Sequence, residues 1–424
     1  MTVSLLSTMD RLLPVETCAL LRRVGGVASR LDMPLYLVGG AVRDMLLGRA
    51  PDDLDLVVEG DAPRLASEAA KEMGGEVLAH SRFGTATLKV NDLRFDLATA
   101  RSETYPRPGV LPEVQASTLR QDLARRDFSI NAMAIALSGE EVGRMVDPLG
   151  GEEDLWARLV RVLHDRSFIE DPTRVFRAIR YEQRLGFRLE ENTLRLMQEA
   201  LRRGCLATVT GDRLRHELEL MLKEPEPMRA LMRARELEVF WRLYPALSDV
   251  PYLPLLKGKP VDEPLVYLAA LSYGLNHVRR FGFIYRLNMP SCWERVVTDA
   301  VTMRCHELAL QRRNMPPAEL CRLLDPLSPV SLQAGVLLAN EGPVKENLER
   351  YVNELRDVKP LLNGDDLLLL GVPEGPLVGE VLSMLRQARL EGKAITRHDE
   401  VALVREFMAS RDLSTTEQET GKAY

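Results

Sequence analysis

Residues 35–48 of the chain read LYLVGGAVRDMLLG. The four residues Leu35–Val38 are apolar and predict a short strand. A helix is predicted over Ala41–Leu47, because good helix formers follow the two glycines and Gly48 stands where a helix would end. Strand and helix signals of this kind continue to about residue 137, so the sequence predicts a first domain that mixes strands with helices.

The rest of the chain has a different character, because almost everything after about Asp147 has helical periodicity. Further strands of the first domain are predicted over Leu54–Val58, Ala86–Val90 and Leu93–Ala98, and a further helix over Ala62–Met73. Amphipathic helices are predicted over Pro172–Leu185, Glu191–Arg202, Arg213–Leu222 and Met228–Leu237. We therefore expect an α+β fold class: a head with a small mixed sheet, followed by all-α domains.

Length and composition limit the class of protein. The chain has 424 residues, so two to four packed units are expected. No apolar run reaches the roughly 18 residues of a membrane helix, and the first residues lack the pattern of a signal peptide, so a soluble cytoplasmic protein without a membrane partner is predicted. The net charge of −6 argues against indiscriminate nucleic-acid binding, so any RNA partner would need a local basic surface.

The five cysteines show no pairing pattern and no spacing typical of zinc ligands. They are Cys18, Cys205, Cys292, Cys305 and Cys321. We expect reduced thiols packed in the core, with neither a disulfide framework nor a structural zinc site.

Gly39, Gly40 and Arg43 lie where the predicted strand turns into the predicted helix. A turn of this kind aims backbone N–H groups and the positive end of a helix at one point, which suits an anion. Glycine also lets a phosphate approach the main chain closely. A purely structural Gly-Gly turn beside a surface arginine has the same pattern, so this motif alone leaves both interpretations open.

Asp53 and Asp55 are two residues apart on a predicted strand, so both carboxylates would project from the same face. Two neighbouring carboxylates repel each other, and a hard divalent cation such as Mg²⁺ removes the conflict. A calcium site or a solvated strand end remains an alternative. Asp96, on a later strand, is a candidate third acid, and three carboxylates on adjacent strands can hold two metal ions for in-line phosphoryl transfer.

Five motifs in a fixed order resemble the class II tRNA nucleotidyltransferases of the polymerase β superfamily. They are LYLVGGAVRDMLLG at 35–48, DDLDLVV at 52–58, RRDFSINAMA at 125–134, DPLGGEEDL at 147–155 and EDPTRVFRAIRYEQRLGF at 170–187. The resemblance covers roughly residues 35–190. Beyond about residue 220 it rests only on general helical character.

The resemblance implies a polymerase β-like head, Mg²⁺ as cofactor, and the tRNA 3′ end, CTP and ATP as substrates. It implies that Asp53 and Asp55 hold the metal with Asp96 as a further catalytic acid, although the family often has Glu at that place. The implied nucleotide-binding residues are Gly39, Gly40, Arg43, Arg126, Asp127, Asn131, Asp171, Arg174, Arg177 and Arg180.

Asp171 and Arg174 can also be judged by their chemistry. An ionised aspartate only accepts hydrogen bonds, and arginine only donates them. Cytosine and adenine present an amino donor beside a ring-nitrogen acceptor, whereas uracil and guanine present a carbonyl acceptor beside a ring N–H donor. The pair can therefore select CTP and ATP without a template. A simple helix salt bridge between the two residues is the alternative. The predicted helix also carries arginines on one face and core residues on the other.

The resemblance also implies a division into a nucleotidyltransferase head at 1–137, a neck with the base-binding helix at 138–222, a body at 223–310 and a tRNA-binding tail at 311–424. Residues 250–264 hold four prolines and are the best linker candidate. The segment from Ser102 to Leu119 is predicted to be a mobile loop, and the polar end from Leu413 to Tyr424 is predicted to be disordered.

Several other functions remain open. A bacterial poly(A) polymerase shares the head motifs, but Ser81–Thr87, which reads SRFGTAT, is more similar to the tRNA enzymes. A catalytically silent RNA-binding protein would lack Asp53 and Asp55, and a small-molecule nucleotidyltransferase would not need the distal helices. Within the tRNA enzymes the first choice is complete CCA addition. Addition of A alone or of CC alone is the alternative, and a shortened loop is associated with the CC-adding type.

Overall fold

The computed structural model describes residues 5–80, 84–248 and 250–420. It divides into two compact units, Met1–Pro245 and Ala246–Tyr424. This boundary lies beyond both the predicted head and the predicted neck, and the finer division into four domains stays a prediction. Ser81–Phe83, part of the segment compared above with poly(A) polymerases, lie outside the described residues.

The first unit contains the strands of the protein that the structure describes. They are β1 (Leu35–Val38), β2 (Asp55–Val58), β3 (Glu76–His80), β4 (Thr85–Val90), β5 (Leu93–Thr99), β6 (Arg101–Thr104), β7 (Glu113–Ala116), β8 (Ala134–Ala136), β9 (Met145–Val146), β10 (Leu159–Val160) and β11 (Arg188–Leu189). Seven of them form one mixed sheet in the order β3-β4-β5-β2-β1-β8-β9. The α+β class predicted from the sequence is confirmed.

The helices of the first unit surround and follow this sheet. They are α1 (Leu6–Leu12), α2 (Val15–Arg30), α3 (Gly40–Leu46), α4 (Ala62–Met73), α5 (Leu119–Ala124), α6 (Gly151–Trp156), α7 (Ser167–Glu170), α8 (Arg174–Leu185), α9 (Glu191–Arg202), α10 (Gly211–Leu222), α11 (Pro227–Glu236) and α12 (Val239–Leu243). Short 3₁₀ turns occur at Ser129–Asn131 and Cys205–Thr208. The predicted helices occur, with ends that differ by a few residues.

The packing of the sheet follows the alternation of its side chains. On β4, Ala86, Leu88 and Val90 are buried while the residues between them are not. Helix α4 packs against this strand, and it begins where Asp61 accepts a hydrogen bond from the Arg64 N–H at 3.0 Å. The sheet therefore has a covered face, and its parallel pair β2 and β5 lies between antiparallel neighbours.

The segment predicted to be a mobile loop forms a two-stranded antiparallel sheet at its two ends, with residues 105–112 between the strands. Strands β6 and β7 pair from Arg101 opposite Ala116 to Thr104 opposite Glu113. The Ser117 N–H donates to the Ala100 carbonyl at 2.7 Å and continues the pairing at the base of this hairpin. The centre of the segment is rich in proline and glycine, which predict a loop. The strands at its two ends are short, so local periodicity alone did not indicate them.

In the part of the second unit that the structure describes, the regular secondary structure is all helical. Its helices are α13 (Leu265–Ser272), α14 (His277–Arg286), α15 (Ser291–Leu310), α16 (Pro317–Leu324), α17 (Pro329–Leu338), α18 (Pro343–Arg350), α19 (Gly364–Leu369), α20 (Pro376–Leu390) and α21 (Arg397–Thr420). The linker candidate contains a 3₁₀ turn at Leu253–Leu256. The predicted disordered end differs from the structure, because α21 runs to Thr420, while residues 421–424 lie outside the described part.

Two further expectations concern the thiols and the membrane. Cys18, Cys205 and Cys321 are buried free thiols, as expected, but Cys292 and Cys305 are exposed, so the core location is wrong for these two. Within the described residues, no helix combines the length and the apolar character needed to cross a lipid bilayer. The cytoplasmic location stays a prediction.

Candidate active site

A cavity of about 730 Å³ lies in the first unit, where β1, β2 and β5 of the sheet face helix α8. It brings together most of the residues predicted from the sequence. These are Gly40, Arg43, Asp53, Asp55, Asp96, Arg126, Asp127, Asn131, Asp171, Arg174 and Arg177. Gly39 and Arg180 do not line it. The cavity therefore joins sequence motifs that are up to about 140 residues apart into one site.

The acidic side of the cavity comes from the parallel strands β2 and β5, on which Asp55 and Asp96 are register partners. Strand β2 begins at Asp55, so the prediction that Asp53 also lies on this strand is wrong: it stands two residues before the strand begins. The Asp55 residue is exposed to solvent, and the solvent that it contacts lies inside the cavity, which it lines. Partial burial raises its pKa above the ordinary value, Arg126 opposes the rise, and Asp53 and Asp96 add to it.

Asp96 has protein partners that Asp53 and Asp55 do not share. The Thr87 hydroxyl donates to its Oδ1 at 2.6 Å, and Arg94 Nη2 lies 3.3 Å from its Oδ2. In the described parts of the chain, no three His, Cys, Asp or Glu side chains are grouped closely enough to hold a metal ion. The structure thus places Asp53 and Asp55 at the cavity but does not gather the three acids into a preformed metal cage.

The Gly-Gly turn lies between β1 and α3, at the place that the sequence predicted. Gly39 has φ +75°, a conformation that favours glycine, and its N–H donates to the Met133 carbonyl at 3.0 Å. A Cβ added to Gly39 would lie 2.7 Å from Arg126 Nη1, whereas one added to Gly40 would lie 3.5 Å from Arg43 Nη2, an ordinary contact. Gly39 therefore makes room for Arg126, and Gly40 faces the cavity.

Arg43 is buried and held on two sides. Its Nη1 donates to the Asn131 side-chain oxygen at 2.6 Å, and its Nε and Nη2 donate to Asp44 at 2.9 and 2.8 Å. Arg126 is tied in a similar way, with Nη2 3.1 Å from Asp122 Oδ2. These guanidinium groups are thus fixed before any ligand is bound.

Asp127 organises the side of the cavity next to α8. Its Oδ1 accepts the Phe128 N–H at 2.9 Å and the Asn131 amide at 3.0 Å, and its Oδ2 accepts Arg177 Nε at 2.8 Å and Nη2 at 2.6 Å. Burial alone would raise its pKa, but Arg177 and the hydrogen bonds outweigh it, so the pKa of Asp127 is lowered. The charge of Asp127 raises the pKa of Arg177 in turn. Both groups stay ionised at neutral pH.

Asp171 and Arg174 both line the cavity but do not pair with each other. Asp171 lies before α8, and its Oδ1 accepts Arg213 Nη2 at 2.8 Å, the Thr173 N–H at 3.1 Å and the Thr173 hydroxyl at 2.6 Å. Its Oδ2 has no hydrogen bond in the described structure. Arg174 donates from Nη1 to the Ser167 hydroxyl at 2.6 Å and from Nη2 to a backbone carbonyl at 2.8 Å. The alternative of a helix salt bridge between the two is wrong.

The arginine face of α8 splits into two groups. Arg174, Arg177 and Arg184 line the cavity. Arg180 instead donates to Glu217 at 3.3 Å and to Glu224 at 2.9 Å, because these acids on and beyond α10 compete for it. The structure thus corrects the prediction for Arg180 by placing it away from the cavity. The opposite face, with Val175, Phe176 and Ile179, is buried as expected.

Sequence reasoning missed several residues of the cavity, and Tyr181 is the most central. Three guanidinium groups surround its ring: those of Arg43, Arg177 and Arg184 lie 5.2, 5.6 and 5.1 Å from the ring centroid. Phe128 meets the ring edge-on at 5.8 Å. The spacing of four residues between Arg177 and Tyr181 on a helix could have indicated their contact.

Tyr105 and Glu103, from the hairpin of β6 and β7, also reach the cavity. The Tyr105 hydroxyl donates to Glu103 Oε2 at 3.1 Å. Burial and the charge of Glu103 raise the pKa of Tyr105 to about 12. The segment predicted to be a loop therefore contributes an un-ionised hydroxyl to the site.

Comparison with known families agrees with this arrangement. Residues 35–161 match the family described as the Poly A polymerase head domain, and residues 186–250 match the probable RNA and SrmB-binding site of polymerase A. The sheet, the acidic strand end and the arginine-lined cavity lie within or directly beside these two matched ranges. The fold and the site together define a chain of the nucleotidyltransferase class.

Relatives that match nearly the whole chain indicate which family within this class the chain belongs to. An A-adding tRNA nucleotidyltransferase of Halalkalibacterium halodurans is 34% identical over 412 residues, covering 95% of this chain and 96% of the relative. One of Geobacter sulfurreducens is 38% identical over 420 residues, covering 93% of this chain, which spans about half (47%) of that relative. The chain belongs to the tRNA nucleotidyltransferase family. Other relatives are named CC-adding tRNA nucleotidyltransferase and CCA-adding enzyme.

A solved structure extends the likeness to the fold of the chain. The CCA-adding enzyme of Thermotoga maritima in complex with tRNA has a TM-score of 0.76 and 30% sequence identity, covering 96% of this chain and 99% of that one. Its similarity includes the distal helices, for which the sequence alone offered only general helical character.

Proposed function

We propose that this chain adds nucleotides to the 3′ end of tRNA without a nucleic-acid template. The observation that carries the proposal is the shared cavity, in which the acids Asp53 and Asp55, the fixed cation Arg43 and the pair Asp171 and Arg174 face the same space. The two acids and Arg43 suit a metal-bound triphosphate, and the pair of Asp171 and Arg174 suits a base. Membership of the tRNA nucleotidyltransferase family supports tRNA as the acceptor.

The chemistry of the acidic edge fits a divalent cation. Asp55 is held close to two further carboxylates, and its raised pKa reflects poor solvation and mutual repulsion. A cation with oxygen ligands would offset both effects, and Mg²⁺ is the natural choice. We propose that Asp53 and Asp55 hold it, and that Asp96 can join as a further ligand if it exchanges its hydrogen bond from Thr87. When bound, the metal would activate the attacking hydroxyl and neutralise charge on the triphosphate.

The reaction is an in-line displacement at the α-phosphorus. The terminal 3′-hydroxyl oxygen of the RNA forms a bond to this phosphorus, the bond to the bridging oxygen of the β-phosphate breaks, and pyrophosphate leaves. The hydroxyl proton passes to solvent. Arg43 and Arg126 would hold the phosphate oxygens, since both guanidinium groups are fixed by acidic neighbours and cost little to order. Asp127 and Asn131 would position the sugar.

Selection of the base would rest on Asp171 and Arg174. Asp171 Oδ2 accepts no hydrogen bond within the described structure, so it can accept from the amino group of adenine or cytosine. Arg174 keeps further N–H groups beyond the two that its neighbours use, and one can donate to the adjacent ring nitrogen. Uracil and guanine would set an acceptor against Asp171 and a donor against Arg174.

The number of nucleotides added is a finer question. Complete CCA addition is the first choice from the sequence, and the full-length segment between residues 102 and 119 disfavours the CC-adding type. The relatives from Halalkalibacterium and Geobacter favour addition of the terminal A alone. We therefore propose addition of A to tRNA that already ends in CC, and keep complete CCA addition as the second candidate because the Thermotoga structure carries that name.

The deciding experiment supplies ATP, CTP or both to tRNA transcripts that end before the first C, after one C, after two C, or after the A. Extension of only the CC-ending transcript by a single A supports the A-adding proposal. Extension of the shorter transcripts from CTP supports complete CCA addition instead. Long A tails would identify a poly(A) polymerase.

The Asp53→Asn and Asp55→Asn variants test the chemistry of the site. We expect at least about a hundred-fold loss of transfer, because each removes one of the two proposed metal-binding carboxylates. The Asp171→Ala variant should transfer GTP and UTP more readily relative to ATP. If the wild-type chain transfers nothing to any RNA, a silent RNA-binding protein replaces the proposal.

A further inference from the structure

Arg213, on helix α10, lies outside every motif that the sequence indicated, yet it connects two parts of the site. Its Nη1 donates to the Gly109 carbonyl at 2.9 Å, and its Nη2 donates to Asp171 Oδ1 at 2.8 Å. The side chain is three-quarters buried. One guanidinium group thus joins the tip of the β6–β7 segment to the acid proposed to read the base.

Gly109 is docked on the neighbouring backbone at two further points. Its N–H donates at 3.1 Å to the carbonyl of Glu170, the residue before Asp171. Its φ is +73°, and an added Cβ would lie 2.1 Å from the Thr208 hydroxyl oxygen and 2.9 Å from the Thr208 carbonyl carbon. Backbone atoms cannot move aside as a flexible side chain can. Only glycine fits this place, and any larger residue would displace the tip from Glu170 and Arg213.

The contact with Arg213 decides which oxygen of Asp171 faces the cavity. Oδ1 accepts all three protein hydrogen bonds, from Arg213 and from the N–H and hydroxyl of Thr173. Of these donors, Arg213 alone carries a charge, and a charge-assisted hydrogen bond is the stronger kind. Without it the carboxylate would keep only bonds to its chain neighbour Thr173, and Oδ1 and Oδ2 could exchange roles.

We propose that Arg213 is a positioning residue for base selection, which couples the docking of Gly109 to the orientation of the Asp171 carboxylate. The proposal rests on the proposed function, because it assumes that Asp171 reads the base. It adds a residue outside the base-binding motif and a mechanical link between that motif and the tip of the hairpin. Arg213 does not line the cavity, so it would act on the base only through Asp171.

The first test measures nucleotide selectivity with Arg213→Ala, Arg213→Lys and Gly109→Ala. The readout is kcat/KM for each of the four NTPs on a CC-ending tRNA transcript. Arg213→Ala should lower the ratio of ATP to GTP by about tenfold or more, since a hydrogen bond to a charged group contributes that much. Arg213→Lys should recover part of the loss, because an ammonium group can reach one acceptor but does not reproduce the two-sided fork.

Gly109→Ala tests the link itself, since it leaves Arg213 and Asp171 intact. It should lower selectivity in the same direction, and the double variant with Arg213→Ala should be no worse than the poorer single variant. The matched control is Arg229→Ala, which removes an exposed arginine paired with Glu226 at 3.0 Å in the same unit. It should leave selectivity unchanged. A normal selectivity of Gly109→Ala, or additive losses in the double variant, would overturn the coupling.

The second test needs no catalysis. Hydrogen exchange of the Gly109 amide reports its bond to the Glu170 carbonyl, so Arg213→Ala should raise exchange in peptides that contain residue 109, while Arg229→Ala should not. Unchanged exchange in Arg213→Ala would overturn the docking role. If the wild-type chain proves unable to transfer nucleotides, the proposed function fails, yet raised exchange would still support the link between Arg213 and the hairpin.

Discussion

Gly39 and Gly40 stand side by side in the same turn, and the structure predicts opposite results when each is replaced by alanine. Gly39 has φ +75° and ψ −132°, and an added Cβ would lie 2.7 Å from Arg126 Nη1. Gly40 begins helix α3 with ordinary dihedral angles, and its added Cβ would meet Arg43 Nη2 at 3.5 Å. Gly39→Ala should therefore harm the fold, and Gly40→Ala should not.

The cost of Gly39→Ala has two parts. Holding an alanine in a conformation that favours glycine costs about 1–3 kcal/mol. The contact with Arg126 adds a smaller cost, because the end of a long side chain can move, but the movement takes Arg126 away from Asp122 and from the cavity. For a unit of this size, about 1–3 kcal/mol corresponds to a fall in Tm of roughly 2–12 °C. Gly40→Ala should change Tm by roughly 2 °C or less, because alanine also favours the helix.

The assay compares thermal unfolding and the KM for ATP of both variants, each alone and combined with Arg126→Ala. Gly39→Ala should lower Tm. In a chain that also carries Arg126→Ala, the fall in Tm caused by Gly39→Ala should be smaller but not zero, since the backbone strain remains. Gly40→Ala should keep the wild-type Tm and raise only the KM for ATP, because its methyl group projects into the cavity. Equal Tm values for the two single variants would refute the reasoning.

Three other predictions concern charge and packing in the cavity. Asp127→Asn should lower Tm by roughly 3–8 °C at pH 7, because it leaves Arg177 without its ion-pair partner; the fall is smaller than for a fully buried pair because the Arg177 side chain is 34% exposed. The lowered pKa of Asp127 means that its stabilisation is complete above the ordinary value of 3.8 and is lost as the pH falls through the folded-state pKa, so the Tm difference from wild type should shrink below about pH 4. Asp55→Asn should lower transfer at least about a hundred-fold yet keep or raise Tm, because it removes a charge that Asp53 and Asp96 repel; a large fall in Tm would contradict this. Tyr181→Leu should raise the KM for ATP about 5- to 30-fold while Tyr181→Phe stays within about threefold, because Phe keeps the ring face against the three guanidinium groups and loses only the hydrogen bond that Arg177 Nη2 donates to the hydroxyl at 3.3 Å; equal effects would contradict a role for the ring.

The sequence predicted those parts of the site that depend on neighbours along the chain. The strand at 35–38, the turn at Gly39 and the core face of α8 each follow from local periodicity and from the conformational needs of glycine. The order of five motifs added the family resemblance, and with it Arg126, Asp127 and Asn131. These residues indeed meet in one cavity, because the turn, the 3₁₀ segment at Ser129–Asn131 and α8 all converge on it.

The sequence could not predict competition between distant partners. Arg180 lies on the same face of α8 as Arg174 and Arg177. It donates instead to Glu217 and Glu224, which lie 37 and 44 residues further along the chain, and so does not reach the cavity. Arg213 is 42 residues from Asp171, and its second partner is a backbone carbonyl, which no side-chain pattern reveals. The hairpin of β6 and β7 was missed for a similar reason, since its ends pair across a centre rich in proline and glycine.

The cavity resolves an apparent conflict between a protein of net charge −6 and a polyanionic ligand. Arg43, Arg126 and Arg177 each have an acidic partner, in Asp44, Asp122 and Asp127 respectively. Such pairs attract phosphate less at long range than free cations would, but they fix donor N–H groups in place before the ligand arrives. We therefore expect the nucleotide site to act mainly through geometry rather than through bulk charge. The discrimination among bases would then depend on how firmly carboxylates such as that of Asp171 are held, which is the property that Arg213 controls in our proposal.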